Sequence, residues 1–280
     1  MHTLRTDEKF QNFEYKDHQI NRSPLLKIGV ECVKGFPLDY MHLVCLGVVK
    51  RILSFLKKGP RECRLSQQQL NLLSNNLKKL NGKMPREFAR QPRSLVYLDK
   101  WKATEFRQFL LYTGPLVLRS VLREEVYSHF LTLTVAMSIL LDSNQTKRND
   151  YLQYARELLQ YFVEHSPAIY GDTFSTYNVH SLQHLPDDVQ HFGTSLNEIS
   201  AFQYENYLFK LKKYVRKSQN PIAQIAKRMK ETETFPSKQM PKKLHITIST
   251  KKKDSCFLLK NGKFAFVLEK RADKCFLCDV

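Results

Sequence analysis

Twelve consecutive residues, Phe130 to Leu141 (FLTLTVAMSILL), carry no charge. The run falls short of the roughly 20 apolar residues of a membrane span. It is expected to form a helix buried at the centre of a globular core, with no membrane partner. A core of that kind fits a 280-residue chain that is 42% hydrophobic, which also argues against global disorder.

Helical patterning surrounds this segment. Asp39 to Lys58 (DYMHLVCLGVVKRILSFLKK) follows Pro37, begins with a capping Asp, closes on lysines and stops at Gly59-Pro60. Residues 66–82 place leucines at 70, 73, 77 and 80. A helix from about Lys102 is expected to break at Gly114-Pro115, and a second to run from there through Leu141. Asn149 to Glu164 sets Tyr151, Ala155, Leu158, Leu159 and Phe162 on one face. Helices follow over Tyr177 to Phe192, with Pro186 starting a new turn, over Asn197 to Lys217, and over Pro221 to Glu233.

After Pro236 the texture alternates. KLHITIST, SCFLLK and KFAFVLEK read as strands, with an Asn261-Gly262 turn between the last two. The expected organisation is an irregular segment 1–36, a helical domain 37–235 and a basic β tail 236–280. The fold class is mainly α with a small C-terminal antiparallel β element.

Formal net charge is +18. Residues 206–280 hold 19 Lys and Arg against 6 Asp and Glu, so most of the excess lies in the last quarter. Such asymmetry points to a polyanionic partner, most simply nucleic acid. The six cysteines are scattered and the opening MHTLRTDEKF is polar, so a reducing compartment is expected rather than a disulfide framework.

Three constellations carry potential chemistry. Asp39 and His42 form DxxH at a helix head, where Asp39 serves as an N-cap. His180 and His184, four apart, share a helix face and could supply half of a metal site. Glu205 has Ala201, Phe202, Leu208 and Phe209 as its helical neighbours, a pattern that turns it toward a core or an apolar cleft. A carboxylate there requires a partner, a proton or a metal. Tyr177, Tyr207 and Arg216 are candidate partners.

Taken in order, GFPLDYMHLVCLGVVKRIL, DKWKATEFRQFLLYTGPLVL, YNVHSLQHLPDDVQHFG and SAFQYENYLFKLKKYVR resemble the C-terminal half of transposases of the CACTA (En/Spm) superfamily. The resemblance covers about residues 4–229. It implies a nuclear cut-and-paste enzyme with an RNase H-like core, of which this chain carries the helical insertion domain. In such enzymes two Asp and one Glu hold two Mg²⁺ or Mn²⁺ ions for DNA strand cleavage and joining. The family's closing Glu matches Glu205, and its DxxH matches Asp39 and His42. The two catalytic aspartates match no residue of this sequence, so the isolated chain is expected to be inactive unless a trans-acting chain supplies them; a homo-oligomer is the other expected protein partner. The order of motifs is also similar to V(D)J-type recombinases, in which two Cys and two His share Zn²⁺. This implies that His180 and His184 are the histidine half of such a site with the cysteine half missing, for which Asp39 and His42 could substitute only if their helix packs beside Tyr177–Leu185. Lys210, Lys212, Lys213, Arg216, Lys217, Lys227 and Arg228 would line a DNA path. The rival expectation is a helical protein-interaction module that does not bind DNA.

Overall fold

The computed structural model describes residues 5–85, 87–234, 248–251, 254–270 and 276–279. In chain order it has α1 (Asp7–Gln11), a 3₁₀ turn (Pro24–Ile28), and a π-helix (Met41–Val49) running into α2 (Lys50–Lys58). Then come α3 (Gln67–Lys79), a 3₁₀ turn (Leu95–Lys100), α4 (Ala103–Gln108), a second π-helix (Phe109–Thr113) and α5 (Gly114–Leu118). Next are α6 (Glu124–Leu140), α7 (Gln145–Asp150), α8 (Leu152–Tyr170), α9 (Tyr177–Ser181) and α10 (Leu185–Phe192), with 3₁₀ turns at Asp172–Phe174 and Leu182–His184. The chain continues with α11 (Phe202–Tyr214), α12 (Pro221–Thr234) and strands β1 (Cys256–Leu258), β2 (Phe264–Lys270) and β3 (Phe276–Asp279). The fold is mainly α with a small C-terminal antiparallel sheet, as the sequence suggests.

Two compact units divide the chain. The first comprises Met1–Leu70 with Leu98–Ala201, the second Asn71–Tyr97 with Phe202–Val280. In the first unit the uncharged run forms the body of α6, which packs along α8. Phe130, Leu133, Met137 and Leu140 of α6 and Ala155, Leu159 and Phe162 of α8 are all buried. Burying each such Leu or Phe stabilises the fold by about 1.5–3 kcal/mol. His129 lies within this interface, stacked on Phe162 at 4.2 Å, with its Nε2 3.0 Å from the Phe162 carbonyl oxygen.

One expected break is absent. The helix passes through Gly114-Pro115 as a π-turn, in which the Gly114 N–H donates to the Phe109 carbonyl. Proline is tolerated because it opens the first turn of α5, where its missing N–H costs little. The interruption comes instead at residues 119–123, and Glu124 and Glu125 then start α6. Asp39 to Lys58 is helical as expected, but its first half takes the wider π form, which the apolar spacing does not signal. Gly47 lies in that half, and a Cβ there would sit 2.6 Å from Asn178 Nδ2. Glycine thus lets α9 approach the π-helix closely.

In the second unit α11 packs on α12. The sheet order is β1-β2-β3, all antiparallel, with Leu258 opposite Phe264 and Cys256 opposite Phe266. The Asn-Gly turn forms as expected: Gly262 has φ +81°, and Asn261 Oδ1 accepts from the Lys263 N–H at 3.1 Å. β3 is a strand that the sequence reading did not anticipate. Most of the KLHITIST segment, and Cys275, lie outside the described residues.

Candidate functional site

Asp39 caps the π-helix that it precedes. Its carboxylate accepts from the N–H groups of Met41 (3.2 Å) and His42 (2.9 Å), and from the His42 ring Nδ1. The same carboxylate reaches 161 residues along the chain, accepting from Ser200 Oγ at 3.2 Å and from the Ala201 N–H at 2.7 Å. Partial burial pushes its pKa up. The donors from Ala201, His42 and Met41 outweigh that effect and hold it below the usual carboxylate value. Beside it, Asp188 Oδ2 accepts from the Leu38 N–H at 2.8 Å. Burial raises the Asp188 pKa, with the Leu38 bond pulling the other way. Both Asp39 oxygens are therefore occupied by donors of this chain, so a cation could bind there only by displacing some of them.

His180 lies in the last turn of α9 and His184 ends the 3₁₀ turn that follows it. Their rings meet edge to face, with centroids 5.5 Å apart, so the two do share a face. Gln183 Nε2 lies 3.0 Å from His180 Nδ1. His184 is half-buried and its Nδ1 is 3.9 Å from Asp187 Oδ2, while Asp187 is bonded to Arg156 at 2.6 Å. Burial lowers the His184 pKa first, and the neighbouring His180 lowers it further. The predicted ligands thus come together in pairs, Asp39 with His42 and His180 with His184. Among the described residues no three His, Cys, Asp or Glu side chains form a group able to hold a metal ion. Of the four expected Zn²⁺ ligands Asp39, His42, His180 and His184, the Asp39 carboxylate also caps the π-helix and fastens the Ser200–Ala201 segment.

Glu205 departs from expectation. It is exposed, and α11 has no buried residue. Two of its expected apolar neighbours, Leu208 and Phe209, are 62% and 61% exposed. Helical spacing establishes which side chains share a face, but not that another element covers that face. Nor, among the described residues, is Glu205 hydrogen-bonded to Tyr177, Tyr207 or Arg216. Glu205 therefore needs no partner to offset burial.

The basic residues are more organised. Lys210, Lys212 and Lys213 are exposed along α11, with Lys213 Nζ 4.6 Å from the centre of the Phe209 ring. The turn from α11 to α12 is built around Gln224. Its Oε1 accepts from the N–H groups of Arg216 (3.0 Å) and Lys217 (3.2 Å). Its Nε2 donates to the carbonyls of Lys217 (2.9 Å) and Gln219 (2.6 Å). Asn220 takes a left-handed conformation, φ 48°, which Asn tolerates better than most residues. The braced turn brings Arg216, Lys217, Lys227 and Arg228 around one open cleft of about 370 Å³, with Gln224 and Glu231 completing its lining. Four basic residues and one acidic residue thus line the cleft. Gln224 escaped the sequence reading because an uncharged glutamine in a basic helix carries no local signal.

Comparison of the chain with family models, with curated proteins and with solved structures finds no match.

Proposed function

We propose that this chain binds DNA through the phosphate backbone, using the basic hairpin of α11 and α12, and that it derives from a CACTA-like transposase acting in the nucleus. The observation that carries the reading is the convergence of Arg216, Lys217, Lys227 and Arg228 on one cleft, held by a side chain that is itself uncharged. Clustered cations of this kind neutralise phosphates and release counterions, giving affinity without base readout. On this reading the ancestral chemistry was strand cleavage at an RNase H-like core with Mg²⁺ or Mn²⁺, and Glu205 is one arm of its cation cage. The residues described here do not by themselves make up that cage. A trans-acting chain is one source of the two further carboxylates that such a cage requires.

The test is a salt titration of duplex DNA binding to the full chain. Affinity should fall steeply with salt, and Arg216→Glu with Lys227→Glu should abolish binding. Gln224→Ala, which removes no charge, should also weaken it by loosening the cleft. Salt-independent binding, or reversals without effect, would sink the proposal. Divalent-metal-dependent nicking that vanishes in Glu205→Ala would support retained catalysis.

A second reading, a helical protein-interaction module, is favoured by the apolar side chains that α11 exposes, Tyr204, Tyr207 and Leu208 among them.

A further inference from the structure

Two exposed apolar stripes, one in each unit, share a heptad-like spacing. On α8, Tyr154, Leu158 and Tyr161 recur at intervals of four and three; Tyr154 is 50% and Tyr161 45% exposed, with Leu158 half-buried. On α11, Tyr204, Tyr207 and Leu211 recur at intervals of three and four; Tyr204 is 70% and Tyr207 49% exposed, with Leu211 half-buried. Large aromatics left uncovered in a regular seam mark an interaction surface more strongly than scattered ones do. The flanks of the two stripes differ in charge. Beside the α8 stripe lie Glu157 and Glu164, both exposed, in a chain that is otherwise strongly basic. Beside the α11 stripe lies exposed Lys210.

We propose that two copies of this chain associate by laying α11 of one copy antiparallel along α8 of the other. In that register Tyr154 faces Leu211, Leu158 faces Tyr207 and Tyr161 faces Tyr204. The flanking position before each seam residue then meets its counterpart, which sets Glu157 beside Lys210. A parallel arrangement instead sets Glu157 against Leu208 or Val215, with no charge to meet it. Pairing α8 with α8 brings glutamates together, and pairing α11 with α11 brings lysines together. Like charges at such positions are repulsive, so charge selects the mixed antiparallel pair. The aromatic seam supplies the contact area, and the stacking of Tyr161 on His165, centroids 3.9 Å apart, holds one of its anchors in place. The cleft at Arg216 and Arg228 takes no part in this pairing, although Lys210 of the same basic hairpin does.

Sedimentation of the full chain tests the pairing. The wild type should self-associate reversibly, and Tyr161→Glu or Tyr207→Glu should leave it monomeric with its helical circular dichroism intact. The exposed charge variants Glu157→Lys and Lys210→Glu should each weaken self-association several-fold without affecting folding. An equimolar mixture of those two variants should regain association, because the Lys at 157 of one chain then meets the Glu at 210 of the other. A monomeric wild type overturns the proposal, as do charge variants that associate like wild type. Rescue confined to the Glu157→Lys/Lys210→Glu double variant, with none on mixing, would overturn it in favour of a contact made within one chain.

Discussion

His129 shows how a single polar side chain can be stabilising and still create a pH liability. It is 2% exposed between α6 and α8, where its Nε2–H donates to the Phe162 carbonyl and the Tyr170 hydroxyl lies 3.4 Å from its Nδ1. Both contacts suit a neutral imidazole. Burial drives its pKa down from 6.5 to about 4, against an opposing pull from the Phe162 carbonyl and with a small further push from His165. The unfolded chain therefore takes up the proton first as pH falls. The stabilising effect is complete above pH 6.5 and is lost progressively as pH drops from 6.5 toward about 4, by about 3 kcal/mol in all. Chemical denaturation across that range should show the slope, and His129→Gln should flatten it while lowering stability at neutral pH. A slope unchanged in the variant would place the acid sensitivity elsewhere. Asp39 is the counterpart whose role the sequence did reveal, since Asp before a helix is a capping signal. Its second task, fastening Ser200 and Ala201, joins residues 161 positions apart, and no local pattern reports that.

At the scale of elements, the apolar spacing was enough to locate nearly every helix, because burying one face of a helix imposes that spacing on the sequence. It did not reveal helix type or continuity. The π-turn ahead of Gly114 is one case, and it depends on having no side chain at that position. A Cβ on Gly114 would lie 2.5 Å from the Phe109 carbonyl oxygen and 2.8 Å from the Phe130 ring, which is fully buried. Neither neighbour is the free end of a flexible chain, so Gly114→Ala should destabilise the first unit by about 1–3 kcal/mol. Trimming the ring as well, in Gly114→Ala with Phe130→Leu, should cost less than the two single changes added together. Strict additivity in thermal or denaturant unfolding would show that the close approach is not what the glycine serves. The exposure of Glu205 has the same root as the missed π-turn. Repeats within a helix encode its own geometry, whereas what covers it is decided by residues far away in sequence.

For the whole molecule, the sequence made plain the basic excess and its concentration in residues 206–280, but not that Arg216, Lys217, Lys227 and Arg228 line one cleft. A formal charge of +18 spread over a surface would attract any polyanion weakly, whereas binding at the cleft, if the proposal holds, would engage a short run of phosphates through four cations. The two cases make different predictions for the same loss of charge. Replacing Arg216, Lys217, Lys227 and Arg228 by Gln lowers the net charge by four. Replacing exposed Arg22, Lys27, Lys78 and Lys147 by Gln lowers it equally. If binding is local, only the first set should reduce the slope of log affinity against log salt, by about 0.9 for each phosphate contact removed, with a matching fall in affinity at low salt. If the whole-molecule field does the binding, the two sets should behave alike. Duplex binding measured across a salt series for both variants decides between them, and equal slopes would turn the cleft from a site into one patch among many on a basic surface.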